Sequence, residues 1–190
     1  DNGQTWSAPA LVAAGFNETS LLCLPSGDVL AACRETTRDR PRLWTCRSRD
    51  GGVTWSEPTL VTDDFQHPAD LVMLDEATLL LLYGNRQQPY RVEGRISRDE
   101  GQTWTDQLLL VSGQLYGYAH ATPRPTDMGY PSGVLTSDGN RVVITYYYNP
   151  FPRVQERAWS GPWTTPFYLS DGYRGVSISL DRAELLAALA

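Results

Sequence analysis

Several residues able to do chemistry recur at corresponding points of a repeated pattern. They are Glu18 in Asn17-Glu18-Thr19-Ser20, His67 in His67-Pro68-Ala69-Asp70, and Tyr130 in Tyr130-Pro131-Ser132-Gly133. Arg34 closes Ala31-Ala32-Cys33-Arg34, Arg86 closes Tyr83-Gly84-Asn85-Arg86, and Arg174 stands in Tyr173-Arg174-Gly175-Val176. Arginine presents a planar fork that takes an oxyanion through paired hydrogen bonds and never loses its charge. A phenol, with an ordinary pKa of about 10, becomes a nucleophile only beside a base. Each residue type also has a plainer use. A lone glutamate before a strand caps a turn or pairs with an arginine. Arg34 and Arg86 read equally as ordinary strand-end charges, as their neighbours Arg91 and Arg95 are expected to be. Tyr130 competes with nine other tyrosines, of which Tyr146 to Tyr148 read as strand packing and Tyr116 and Tyr118 as loop or rim aromatics. The only histidines are His67 and His120, and a histidine at a strand start is more often a hydrogen-bonded wall residue than a catalyst. No His or Cys cluster has metal-ligand spacing and Asp63-Asp64 is isolated, so neither a metal nor a cofactor is expected.

What must position these residues is legible in an internal repeat. Asp1-Asn-Gly-Gln-Thr-Trp6, Ser48-Arg-Asp-Gly-Gly-Val-Thr-Trp55 and Ser97-Arg-Asp-Glu-Gly-Gln-Thr-Trp104 superimpose, with tryptophans 49 residues apart each time (55 − 6 and 104 − 55). A fixed period near 50 containing strand and turn signals marks a propeller or a similar array. In each segment the Asp side chain can accept backbone N–H groups and Gly supplies positive φ, so these are structural turns rather than active-site carboxylates or calcium loops. A fainter echo is Ala158-Trp-Ser-Gly-Pro162. Between the turns each repeat reads as an apolar strand, a turn, a second apolar strand and a more polar third strand. The chain is therefore expected to be all-β, an incomplete β-propeller of four-stranded antiparallel blades, about half of a six-bladed ring. Residues 1–16 would end one blade, 17–66, 67–129 and 130–172 would be successive blades, and 173–190 would start a further blade or close the segment. For the last stretch a hairpin is preferred to a short helix capped by Asp181. Because the apolar skeleton repeats while the polar residues at one edge vary, a site is expected on that edge.

With 190 residues, 41% apolar and 20% charged, 16 Gly and 13 Pro, the chain fits one folded domain or part of one, and excludes disorder and collagen. All sixteen basic residues are Arg, against 22 acidic ones, for a net charge of -6. Sequence-independent nucleic-acid binding is not expected. No apolar run approaches the roughly 18 residues that span a bilayer, so neither a membrane anchor nor a leader is read here. Cys23, Cys33 and Cys46 are three, so at least one is unpaired within the chain, and free buried thiols are the simplest reading.

The repeated Ser-x-Asp-x-Gly-x-Thr-Trp segments, with the order Asn-Glu, Arg, Tyr-Gly-x-Arg, then Gly-Tyr-Pro-Ser, resemble the Asp-box repeats of the sialidase (neuraminidase) superfamily, six-bladed propellers that act as retaining exo-sialidases. The resemblance covers essentially the whole chain but the C-terminal half of the family's ring. It implies that Tyr130 is the nucleophile, that Glu18 pairs with it, and that Arg34 and Arg86 bind the substrate carboxylate. Arg174 would be the first arginine of that triad if the chain ran on into a first blade, and His67 would line the substrate. It also implies a glycan or small anionic sugar as partner and a secreted or periplasmic location. The family's aspartate general acid/base has no counterpart here, so the chain is expected to be a fragment of a longer enzyme, or else to need a homo-oligomer or a second chain to complete the ring. Two other readings stay open, a hydrolase of another acidic sugar such as a uronide, and a non-catalytic propeller that binds glycans or proteins.

Overall fold

Strand order follows the alternation of apolar residues. In the computed structural model, which describes residues 2–37, 39–87, 90–112, 127–149, 153–154, 168–169 and 174–188, the chain is all-β with one short helix. The first sheet is an antiparallel meander of β1 (Phe16–Cys23), β2 (Val29–Glu35), β3 (Leu43–Ser48) and β4 (Thr59–Leu60). The second repeats it with β5 (Gln66–Met73), β6 (Leu79–Asn85), β7 (Arg91–Ser97) and β8 (Leu108–Ser112). The third has β9 (Asp127–Leu135) and β10 (Arg141–Asn149), then β11 (Arg153–Val154) and β12 (Tyr168–Leu169) as a separate two-residue ribbon, and β13 (Arg174–Asp181).

Why the sheets stack as blades is clearest in β6, where Leu79-Leu80-Leu81-Leu82-Tyr83 is buried throughout. Successive side chains of a strand point to opposite faces. Leu79, Leu81 and Tyr83 accordingly join Leu24, Leu30, Leu43 and Leu71 in one core, and Leu80 and Leu82 join Val72, Val142, Ile144 and Leu185 in another. The middle sheet is thus buried on both faces between its neighbours. Gly133 marks how closely the third blade approaches it, since a Cβ there would lie 2.6 Å from Leu82 Cδ1 and 2.8 Å from Val72 Cγ2.

The repeated turns lie between the third and fourth strands. Ser48 Oγ donates to Asp50 Oδ1 at 2.8 Å, and that oxygen accepts the N–H groups of Val53 and Thr54 at 3.1 and 2.9 Å. Asp99 repeats the set with Ser97, Gln102 and Thr103 at 2.7, 3.1 and 2.9 Å. Hydrogen bonds from Thr54 above all hold the Asp50 carboxyl down at about 2. Cys33 and Cys46 are buried, Cys23 is exposed, and all three are free. Burial, then the Cys33 neighbour, pushes the Cys46 thiol up to about 12.

Two expectations need correction. Residues 174–181 do not open a new blade. Eight consecutive pairs, from Arg141 opposite Asp181 to Tyr148 opposite Arg174, make β13 the third strand of the third sheet, so that blade runs past position 172. The terminal hairpin is instead α1 (Arg182–Ala187). Asp181 Oδ1 accepts the N–H groups of Ala183 and Glu184 at 2.9 and 3.1 Å, and Leu185 packs into the second core, so a local cap and a buried leucine outweigh the echo of a repeat. The Ala158–Pro162 echo, Tyr116, Tyr118 and His120 lie outside the described residues. Among those residues no helix is long and apolar enough to cross a membrane.

Candidate functional site

The first strand of each of the three sheets, β1, β5 and β9, carries the same irregularity near its start. Asn17 and Ser20 on β1 face Arg34 and Ala32, Gln66 and Ala69 on β5 face Asn85 and Tyr83, and Gly129 and Ser132 on β9 face Tyr147 and Thr145. Three steps on one strand therefore oppose two on its partner, which is a β-bulge. The bulged dipeptides are Glu18-Thr19, His67-Pro68 and Tyr130-Pro131. A bulge leaves a backbone N–H outside the ladder, so the two prolines cost no hydrogen bond there. Glu18 and Tyr130 have φ of 38° and 49°, a left-handed conformation rare for these residue types and found where a structure holds a side chain for use.

One carboxylate ties the three strands together beneath the bulges. Asp70 Oδ1 accepts Ser20 Oγ–H from β1 at 3.1 Å, and Oδ2 accepts the Gly133 N–H from β9 at 2.8 Å. A cavity of about 350 Å³ opens beside this tie, lined by Glu18, Asp70, Pro68, Tyr130 and Pro131 among others.

Glu18, Arg34 and Tyr130, remote in sequence, meet through their side chains. The Tyr130 hydroxyl donates to Glu18 Oε1 at 2.6 Å, and Arg34 Nη1 forms an ion pair with Glu18 Oε2. The Arg86 guanidinium carbon lies 5.5 Å from the Tyr130 ring centroid and 5.8 Å from that of Tyr147, within cation–π range of both. Gly129 gives the guanidinium room, since a Cβ there would stand 3.1 Å from Arg86 Nη2 and crowd it. Tyr130 is 47% exposed, so its ring is supported on one side and open on the other.

The electrostatics follow from these contacts. Burial raises the Glu18 carboxyl, but the hydrogen bonds from Tyr130 and Arg34, with the Arg34 charge, outweigh it and hold the group below its ordinary value. Burial, then the bond and charge of Glu18, raise the Tyr130 phenol against the pull of Arg34 and Arg86. At neutral pH the pair is therefore a carboxylate and a protonated phenol. His67 is 6% exposed, and its Nδ1 is buried without a hydrogen-bond partner among the described residues. Burial, then the charges of Arg34 and Arg86, lower it to about 4, so it is neutral.

A pH dependence follows from that depressed imidazole. The unfolded chain takes up a proton near pH 6.5 while the folded chain resists until about 4, so the contribution is complete above 6.5 and is lost as pH falls toward 4. Its size is at most about 3 kcal/mol, less where solvent screens the guanidinium charges. Denaturant midpoints measured from pH 7 to 4 should fall less steeply for His67→Gln than for the unaltered protein. Parallel curves would show that His67 plays no part in the acid sensitivity.

Arg174 does not join this group. It stands exposed at the start of β13, opposite Tyr148 in the third strand of its sheet, rather than on an innermost strand. Among the described residues, the contacts that connect Glu18, Arg34, Arg86 and Tyr130 do not include it. Asp70, Gln66, Asn85 and Glu93 are the residues near the site whose part the sequence does not disclose. Asp70 has only its place in a strand-opening motif to mark it. Among the described residues no group of three or more His, Cys, Asp or Glu could hold a metal ion.

Residues 1–144 match the BNR repeat-like domain. The chain belongs to the BNR repeat-like family. No curated protein matches the chain. Among solved structures, this BNR repeat-like chain is similar to a protein of unknown function from Dyadobacter fermentans, with 33% identity and a TM-score of 0.62 over 78% of this chain and 39% of the other. It is also similar to the Penicillium chrysogenum α-L-arabinanase in complex with arabinobiose, at 21% identity and a TM-score of 0.55 over 75% and 44% of the two chains. The Ruminococcus gnavus intramolecular trans-sialidase, in complex with oseltamivir carboxylate, aligns at 18% identity and a TM-score of 0.52 over 93% and 36%. The last two likenesses establish the fold alone, a β-propeller. The BNR repeat-like chain spans about two fifths of the length of these structures.

Proposed function

We propose that these blades carry half of the active site of a retaining exo-glycoside hydrolase that removes a terminal acidic sugar, a sialic acid by preference. The observation that carries this reading is the 2.6 Å hydrogen bond from the Tyr130 phenol to Glu18, whose other oxygen is paired with Arg34. In this reading Arg34 and Arg86 hold the sugar carboxylate, with His67 as a neutral wall beside them. A carboxylate nucleophile would repel such a substrate, whereas a phenol carries no charge until it attacks. Sialidases are the glycosidases that use a tyrosine in this way.

The Tyr130 oxygen bonds to the anomeric carbon as its proton passes to Glu18, and the bond to the leaving oxygen breaks as an acid protonates it. Water then attacks the anomeric carbon, giving its proton to the group that had served as the acid, as the bond to the Tyr130 oxygen breaks and Glu18 returns its proton to the phenolate. The acid that serves the leaving group is not assigned among the described residues, and the activity proposed is that of the protein with its ring complete.

The test is a panel of fluorogenic glycosides given to the full-length protein: an α-sialoside, a β-uronide and an α-L-arabinofuranoside. The sialoside should turn over fastest. Turnover of the uronide or the arabinofuranoside alone would reassign the sugar, and binding of the sialoside with no turnover would make the propeller a non-catalytic glycan binder.

A further inference from the structure

Behind the site, at the top of the second blade, lies a buried carboxylate that the proposed chemistry does not use. Glu93 on β7 is 1% exposed. Its oxygens accept Asn85 Nδ2 at 3.1 and 3.2 Å and Gln66 Nε2 at 3.2 Å, and Arg91 Nε stands 3.1 Å from Oε1 as an ion-pair partner. Two amide donors and one guanidinium charge converge on a group that, as a carboxylate, can only accept. Burying an ion pair contributes little to stability compared with apolar residues of similar volume, so packing alone does not account for a carboxylate here.

Its partners indicate what else it does. Gln66 and Asn85 are buried and directly opposite each other on β5 and β6, and each is followed by a site residue, His67 and Arg86. A side-chain amide has two unlike ends, and committing one fixes the other. With Asn85 Nδ2 turned to Glu93, Asn85 Oδ1 accepts the Gln87 N–H at 2.9 Å, just beyond Arg86. With Gln66 Nε2 turned to Glu93 and to Gln107 Oε1 (2.9 Å), Gln66 Oε1 accepts the Asp63 N–H at 3.0 Å. Between these, the Arg86 N–H donates to the Phe65 carbonyl at 2.9 Å. The backbone is therefore pinned on both sides of Arg86 and ahead of the bulge that aims His67.

We propose that Glu93 is a positioning residue for the sugar site: by fixing which way the Asn85 and Gln66 amides face, it sets the backbone that aims Arg86 and His67. The consequence for catalysis rests on the function proposed above, whereas the geometric claim does not.

Glu93→Gln keeps the volume but places an NH₂ group among amide donors. Turning either neighbouring amide to receive it withdraws the acceptor from Gln87 or Asp63. The double variant Glu93→Gln, Asn85→Asp restores an acceptor opposite that NH₂ group at unchanged net charge. The first readout is nitrogen NMR of the Arg86 side-chain N–H and the His67 imidazole in full-length protein without sugar. Both signals should shift or broaden in the single variant and return in the double one. The second is sialoside turnover, where kcat/KM should fall about tenfold to a hundredfold, mainly through KM, and recover in the double variant. If the single variant leaves both signals in place and only lowers the denaturant midpoint, Glu93 is a stability residue and the proposal is overturned. Failure of both variants to fold overturns it equally. If the unaltered protein hydrolyses none of the sugars, the function reading fails while the NMR comparison still decides the role of Glu93.

Discussion

Full-length protein carrying Tyr130→Phe should bind the sialoside nearly as before and hydrolyse it on the order of a thousandfold more slowly or worse, a loss of at least about 4 kcal/mol of transition-state stabilisation. The substitution removes one oxygen. It leaves the ring that lies within 5.5 Å of the Arg86 guanidinium and 5.9 Å from the Tyr147 ring, so the guanidinium that receives the sugar carboxylate keeps its support. Arg34 keeps its pairing with Glu18, since that contact does not involve the phenol. The lost group is the one that forms the covalent bond, and loss of a nucleophile is felt in kcat rather than KM. Steady-state kinetics would show this, and mass spectrometry of quenched reactions would show a glycosyl adduct on the unaltered protein that the variant lacks. A variant turning over within tenfold of the unaltered protein would dismiss Tyr130 as nucleophile. Because Tyr130 is 47% exposed, the fold does not depend on its hydroxyl, and far-ultraviolet circular dichroism checks that the variant is folded.

The repeat register makes much of this legible. Glu18, Arg34, Arg86 and Tyr130 stand out because an apolar skeleton of fixed period places strand starts and strand ends at one rim, where polar residues have no packing reason to vary. The bulges are not legible, since Glu and Tyr are not residues that favour positive φ, and their conformation is imposed by the partner strand. The repeat count misplaces Arg174 for a definable reason. In the first two blades the second and third strands are joined by residues 36–42 and 86–90, but in the third blade the corresponding stretch runs from 150 to 173, and counting by period across it shifts every later strand. Glu93 is hidden differently. Arg91-Val-Glu-Gly-Arg95 alternates polar with small or apolar residues as a half-exposed strand does, and nothing local shows that Gln66 and Asn85 come to enclose the middle carboxylate.

Glu18→Gln separates the two duties of that carboxylate, because it should move two measurements in opposite directions. Burial is the largest influence raising the Tyr130 phenol, and the hydrogen bond and negative charge of Glu18 add to it, against Arg34 and Arg86. Replacing the carboxylate with an amide removes the negative charge and leaves both guanidinium groups, so the phenol should ionise at lower pH than in the unaltered protein. Difference absorbance of tyrosinate between Glu18→Gln and Glu18→Gln, Tyr130→Phe isolates this group among the ten tyrosines. If nucleophile ionisation alone governed the rate, the variant would be faster. It should instead be slower by about a hundredfold to ten-thousandfold, because the proton must leave as the bond forms and an amide cannot take it. The pH profile carries the same sign. Glu18 is held below its ordinary 4.5, so the unaltered protein should keep its base ionised through mildly acidic pH and lose activity only as pH falls through that lowered value, a limb that the variant lacks. A variant with equal or higher kcat would show that Arg34 and Arg86 suffice to activate the phenol, and that Glu18 serves to orient Arg34.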